Sequence, residues 1–318
     1  MIGSHVSELL VGRGDEVVVV DDLSTGRRSN LDALAGHPRL RFVEADVTVR
    51  IPVDGPLDAV LNLASPASPP DFSRIPLQIL RAGAIGTLNT LELARQHRAR
   101  YLLASTSEVY GEPAVHPQPE SYRGSVSTTG PRACYDESKR FAEAATTTFA
   151  RSFGVDACIA RIFNTYGPRI RPDDGRVVSN FVVQALDGQP ITIYGDGRQT
   201  RSFCYVEDEA AGLVALLDSG VPGPMNLGNP DESTVEELAL HVIELTGSDS
   251  TLVRRPLPQD DPTQRRPDIT LATEVLGWSP RVPLREGLRR TIEHLRAEVR
   301  PRGNPIAGRV RTASASAV

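Results

Sequence analysis

The chain has 318 residues and a mass of 34.4 kDa, enough for a large core in one large or two coupled domains. Its apolar content of 40%, charged content of 24% and mean hydropathy of −0.22 are ordinary for a globular protein in water. A net charge of −5 excludes the basic footprint of a nucleic-acid binder, and no run reaches the ~18 apolar residues of a membrane span. Cys134, Cys158 and Cys204 lack metal spacing and are expected to be reduced thiols of a cytoplasmic protein, with neither nucleic acid nor membrane as a partner.

Met1 to Glu16 reads as a helix, followed by the apolar strand Val17–Val20, which ends in Asp21 and Asp22. Segments 41–47 and 57–64 read as two further short strands. The second runs into Ser65-Pro-Ala-Ser-Pro-Pro70; proline cannot continue a ladder, so a fixed loop stands at the strand's C-terminal end. A helix from Ile79 to Gln96 leads to Tyr101-Leu-Leu-Ala-Ser-Thr-Ser-Glu-Val-Tyr-Gly111, an apolar run ending in hydroxyls and a carboxylate. Such a run fits a buried parallel strand whose C-terminal end meets a ligand. There Thr106 and Ser107 can donate to a substrate oxygen, and Glu108 can serve as acid, base or orienting group.

Next comes Tyr135-Asp-Glu-Ser-Lys139, and Lys139 is the sole lysine among 35 basic Lys and Arg residues. Residues four apart share a helix face, so the phenol and the ammonium project together. A free phenol has a pKa near ~10, and a nearby positive charge is expected to lower it toward a usable base. Lysine, a compact charge with three donors, can face a phenol and a ribose hydroxyl at once, which a planar guanidinium does poorly.

Beyond this helix, Val155 to Arg161 reads as a strand with a polar exit at Asn164. The second half alternates short strands and helices: a helix opening at Arg176, a strand Ile191–Tyr194, a Gly-rich turn to Arg201, and helices Val206–Leu217 and Thr234–Thr246. The segment Asp260 to Asp268 sets acids and arginines, Arg265 among them, beside prolines. His37, His97, His116 and His241 have no ligand spacing, so no metal is expected. From Arg300 to Val318 there is little to bury, and disorder is expected.

The stretches 101–111 and 135–139 together resemble the extended short-chain dehydrogenase/reductase family of nucleotide-sugar enzymes, and the resemblance covers nearly the whole chain. It implies an α/β fold: a Rossmann-like, doubly wound parallel sheet binding NAD over 1–165, to which 202–221 returns, and a smaller C-terminal α/β domain binding a UDP-sugar over 166–201 and 222–299. Ile2-Gly3-Ser4-His5 matches only the end of the family's opening Gly-rich turn. The first strand and two phosphate-turn glycines are therefore expected to be missing, as from a late-assigned start codon, leaving Gly3 as the glycine that packs helix on strand.

The resemblance places Asp21 on the adenosine ribose, where an acid favours NAD over NADP, and Thr25, Gly26 and Arg27 near the adenosine-side phosphate. It puts Asp46 and Val47 at the adenine and Leu63 and Ala64 along the cofactor. Pro66 and Ser68 would lie beside the sugar, Asn164, Arg176, Tyr194 and Arg201 against the uridine or diphosphate, and Arg265 on the sugar. Arginine suits phosphate because it pairs bidentately. A homodimer through helices 79–96 and 135–152 is implied as well.

Within the family, the Pro-rich loop, Thr106-Ser107-Glu108, the Gly130–Lys139 motif and the Arg265 segment resemble the UDP-glucuronate decarboxylase branch. The implied reaction oxidises C4 with NAD, loses CO2 from the β-keto acid, and re-reduces C4 to give UDP-xylose. A variant would stop at the 4-keto pentose and release NADH. A 4,6-dehydratase would need an acid where Ser107 stands, and a 4-epimerase usually has small residues there rather than Glu. An inactive dinucleotide-binding scaffold is the non-enzyme alternative.

Overall fold

The computed structural model describes residues 1–257 and 264–299. Helix α1 (Ile2–Arg13) ends at Gly14, whose φ of +102 only glycine adopts without cost, and buries Val6, Leu10 and Val11. Four consecutive β-branched valines then favour a pleated strand, β1 (Val17–Asp21), which pairs in parallel with β2 (Leu40–Glu44) in the register Val17–Leu40 to Asp21–Glu44. After β3 (Ala59–Asn62), prolines at the first turns start two short helices, α2 (Pro69–Arg74) and α3 (Pro76–Arg81).

The single helix expected over 79–96 is interrupted. A π-helical turn at Ala82–Gly86 separates α3 from α4 (Thr87–His97). Its glycines explain the turn: a Cβ on Gly83 would lie 2.5 Å from the Ser138 side chain, and one on Gly86 3.0 Å from Val47. Strand β4 (Arg100–Thr106), buried in all but its first residue, feeds the 21-residue helix α5 (Ala133–Phe153) and then β5 (Ala157–Ile162).

The second half adds β6 (Thr165–Tyr166), α6 (Val177–Leu186), β7 (Ile191–Tyr194), β8 (Thr200–Ser202), β9 (Cys204–Tyr205), α7 (Val206–Asp218), β10 (Met225–Leu227) and β11 (Glu232–Thr234). A capping box between Thr234 and Glu237 starts α8 (Val235–Thr246); β12 (Leu252–Arg255), β13 (Gln264–Arg265), α9 (Thr270–Leu276) and α10 (Leu284–Glu298) complete the described chain. Phe181, Val182, Ile191, Leu238, Val242, Leu288 and Leu295 form this half's own core.

The main sheet runs β10-β5-β4-β3, all parallel, while β1 and β2 form a separate pair. Among the described residues no ladder joins β1 to β3, and both strands line one cavity. Helix α7 packs Leu213, Leu216 and Leu217 with Val6, Leu10 and Leu102. Strand β10 joins the main sheet beside β5, and Trp278 sits in the same core with its indole N–H donated to the Asp208 carbonyl at 3.0 Å. Within the expected 222–299 unit, residues 225–227 pair with β5 of the main sheet, and Met225, Leu227 and Trp278 pack in its core.

One buried acid has a consequence for stability. Glu209 on α7 has no solvent exposure, and burial pushes its carboxyl well above the usual range. A carboxyl whose folded pKa exceeds its unfolded value of about 4.3 stabilises the fold fully below that value and loses the contribution as pH rises through the folded value. Wild-type Tm should therefore fall as pH rises above about 4.3, and Glu209→Gln should flatten that fall in scanning calorimetry. Equal slopes for the two proteins would contradict this account.

Candidate active site

The C-terminal end of β4 and the first turns of α5 converge on one point. Thr106 closes β4, and its hydroxyl accepts the Glu108 N–H at 3.3 Å as the chain turns into a short 3-10 helix. Helix α5 presents Tyr135 and Lys139 one turn apart. The Tyr135 ring stacks on Phe72 of α2, with centroids 5.1 Å apart and an interplanar angle of 16°. Lys139 Nζ stands 5.9 Å from the Tyr135 ring centre and donates to the Ala104 carbonyl at 2.8 Å.

This geometry corrects the expectation of a phenol acidified by its lysine. Burial pushes Tyr135 up to about 12, against a hydrogen bond from Thr106 that acts the other way. Burial also pushes Lys139 down to about 8, and the Glu143 carboxylate opposes that shift. Desolvation dominates at both groups: the phenol is held neutral, and Lys139 stays an ammonium at neutral pH with one of its donors given to the Ala104 carbonyl.

Glu108 is the most heavily partnered group of the cluster. Arg265 of β13, 1% exposed, donates to the Ser107 carbonyl at 2.9 Å and to Glu108 Oε2 at 3.2 Å. Arg132, just before α5, approaches the same oxygen at 3.0 Å. Burial opposes ionisation of Glu108, but the Arg265 and Arg132 guanidiniums hold its carboxyl below the usual range. The sequence reading missed Arg132. The available signal was its place in Gly130-Pro-Arg, where the residue entering a helix shares a face with the first-turn side chains.

A cavity of about 1510 Å³ unites every residue singled out from the sequence, and the structure assigns several of them internal partners. On one side Asp21 accepts the Leu23 N–H at 2.8 Å, Asp46 accepts the Thr48 N–H at 2.7 Å, and Val47, Leu63 and Ala64 line the wall beside Thr25. Burial raises the Asp21 carboxyl. A Cβ on Gly26 would lie 3.0 Å from that carboxylate, so a larger residue there would crowd Asp21. Arg27 turns away to Glu298 of α10 at 2.7 Å. Gly3 lines the cavity, but nothing lies within 4 Å of where its Cβ would be, so among the described residues the helix-on-strand packing expected of it is not made.

On the other side two loops are tied across the cavity. The Ser68 hydroxyl donates to the Asp174 carbonyl, and Asp71 is held by Arg74 at 2.6 Å and by Arg171 at 3.1 Å. Arg176 pairs with Asp174 at 2.5 and 3.0 Å. Pro66 lines the same wall, Asn164 donates to the Ser202 carbonyl at 3.4 Å, and Tyr194 stands 45% exposed at the rim. The register of β13 on β8 sets Arg265 beside Arg201. Asp260 and Asp261 of the Arg265 segment lie outside the described residues.

A family model described as the NAD dependent epimerase/dehydratase family matches residues 1–228. The chain belongs to this family. It is 48% identical over 303 residues to UDP-glucuronic acid decarboxylase 1 of Xenopus tropicalis, covering 95% of this chain and 72% of that protein. To UDP-glucuronic acid decarboxylase 5 of Arabidopsis thaliana it is 50% identical over 288 residues, covering 90% and 84%. Among solved structures it resembles a Thermotoga maritima UDP-glucose 4-epimerase with UDP-glucose (TM-score 0.84, 31% identity, 94% and 96% covered). It also resembles a Bacillus cereus UDP-glucuronic acid 4-epimerase in complex with NAD (TM-score 0.80, 26% identity, 93% and 96% covered). The fold is thus the Rossmann-type α/β fold of these enzymes.

The residues around Asp21 fit the ribose of the dinucleotide in this family's name. A half-buried carboxylate over a glycine suits a ribose diol, and the cavity exceeds the ~300–1,000 Å³ of a single drug-sized ligand, as two nucleotide ligands demand.

Proposed function

We propose that this chain binds NAD and converts UDP-glucuronate to UDP-xylose by C4 oxidation, loss of CO2 and C4 re-reduction. The observation that carries this reading is the contact of Arg265 with Ser107 and Glu108. It unites, across 157 residues, two motifs that a decarboxylase needs and a simple oxidation does not. The 48–50% identity to UDP-glucuronic acid decarboxylases supports it.

Asp21, Gly26, Asp46 and Val47 would hold NAD, which would supply a reversible hydride acceptor at C4. Tyr135 takes the C4 hydroxyl proton in its phenolate form, and Thr106 hydrogen-bonds the same oxygen. The ketone so formed stands β to the C6 carboxylate, so the C5–C6 bonding pair can flow into an enolate as CO2 departs. Hydrogen bonds from Thr106 and the protonated Tyr135 stabilise that oxyanion. Arg265 and Glu108 orient the ring while C5 is reprotonated, and Tyr135 returns its proton when C4 is reduced. Arg176, Arg201, Asn164 and Tyr194 hold the UDP, with Pro66 and Ser68 beside the sugar.

Mass spectrometry of the product from UDP-glucuronate, with NADH absorbance followed, tests this. A UDP-pentose without NADH build-up is expected. A 4-keto pentose with stoichiometric NADH would replace the reading with oxidative decarboxylation, and no loss of CO2 would end it.

We also propose a cytoplasmic homodimer. Leu77, Leu80, Ile85 and Leu88 on the α3–α4 segment and Phe141 on α5 are 38–72% exposed, an apolar face of the kind that partners cover. Sedimentation should give a dimer, and Phe141→Glu should give monomers. Among the described residues no helix is long and apolar enough to cross a membrane.

A further inference from the structure

We propose that Asp136 stores the proton that decarboxylation consumes and passes it to C5 of the sugar by way of Glu108. The inference rests on the reaction proposed above. That reaction's proton balance demands such a group. Tyr135 takes one proton from the C4 hydroxyl and gives one back to the C4 oxygen, so it contributes none overall. The carboxylate leaves as CO2, and its bonding pair ends as a new C5–H bond. One proton per turnover must come from elsewhere.

Neither nearby candidate carries it. Glu108 is held ionised between Arg132 and Arg265. Lys139 is committed to the Ala104 carbonyl.

Asp136 meets the requirement by position. It follows Tyr135 directly in the first turn of α5 and lies one turn from Arg132, on whose helix face it sits. Its side chain is 7% exposed, and its Oδ1 is buried with no hydrogen-bond partner among the described residues. A buried carboxylate oxygen without a donor favours the neutral acid. The charged and titratable groups facing it are Glu108 from the end of β4, Arg265 from β13, Arg132 and Glu137 from the α5 segment, and its neighbours Cys134 and Tyr135. Burial and the Glu108 charge push the Asp136 carboxyl up to about 7, against Arg132 and Arg265. A group half-protonated near neutrality can both give and regain a proton.

Asp136 does not line the cavity, so it acts through Glu108 and is a positioning residue for the proton, not a catalytic one. The Asp136 carboxylic acid first protonates the Glu108 carboxylate; the Glu108 acid so formed gives that proton to C5 and returns to the carboxylate, and Asp136, left as a carboxylate, regains a proton from solvent.

The test is stopped-flow turnover of UDP-glucuronate with NAD across pH 5–9 for wild type and Asp136→Asn. Wild-type kcat should fall as pH rises through about 7. The variant should lose that limb, turn over roughly 10- to 100-fold more slowly, and accumulate NADH transiently, because oxidation still proceeds while C5 protonation lags. Asp136→Glu should restore the limb. A variant that keeps both wild-type kcat and the limb would overturn the assignment. Should Asp136→Asn fail to fold, the wild type decides: the limb must appear in pentose formation and be absent from the NADH-forming step, and a limb in both or in neither overturns the proposal. Absence of CO2 from wild type with UDP-glucuronate overturns the reaction and this assignment together, whereas CO2 release with an unchanged Asp136→Asn profile overturns this assignment alone.

Discussion

Tyr135→Phe should lower kcat by about 10²- to 10⁴-fold while NAD affinity stays close to wild type. The substitution removes one oxygen and keeps the ring, so the stacking on Phe72 persists and only the hydrogen bond with Thr106 is lost. A single such bond is worth roughly 1 kcal/mol of stability, so the fold should survive and the kinetic loss should report chemistry. The starting state adds a pH signature. The phenol is pushed up to about 12, so the reactive phenolate is scarce at neutral pH and the oxidation step should accelerate as pH rises. The Phe variant should show slow oxidation without that rise. Wild-type rates in Tyr135→Phe would remove the phenol from the mechanism and leave Lys139 or Glu108 as the base.

Much of this site was legible because its chemistry sits on strong periodic elements. A strand that is apolar through Ala104 and polar from Ser105 must end at a ligand face, and a Tyr four residues before the only Lys must share a helix face with it. What the residues could not reveal was the balance of burial against charge. Lys139 was read as an acidifying partner, yet its ammonium finds a backbone carbonyl at 2.8 Å and both groups are desolvated. Arg132 was hidden for another reason. In a chain with arginines throughout, its place at the entry to the helix is a weak signal, and only folding sets it 3.0 Å from Glu108. The break between α3 and α4 escaped as well, because the periodicity of 79–96 stays helical. Only the close approach of α5 at Gly83 shows why the backbone widens there.

Arg265→Ala should abolish turnover, by more than about 100-fold, and also destabilise the protein by about 3 kcal/mol. Arg265 is 1% exposed and bridges the Ser107 carbonyl and Glu108, so its removal leaves a buried carboxylate with only Arg132 and the weaker influence of Arg201 among the described cations that act on it, and beside it the carboxyl of Asp136. That imbalance predicts how the loss can be relieved. Neutralising Glu108 in the same chain removes the stranded charge, so Glu108→Gln on the Arg265→Ala background should recover stability, with a coupling of about 1–3 kcal/mol in a double-mutant cycle. Activity should not recover, because the ring would have neither orienting group. Arg265→Lys separates geometry from charge. One ammonium on a flexible stem does not reproduce the planar fork that reaches both oxygens, so the variant should fold better than Arg265→Ala yet stay nearly as inactive. If the two single losses of stability simply added, Glu108 would be compensated by Arg132 and Arg201 without Arg265, and the role of Arg265 would be confined to the sugar.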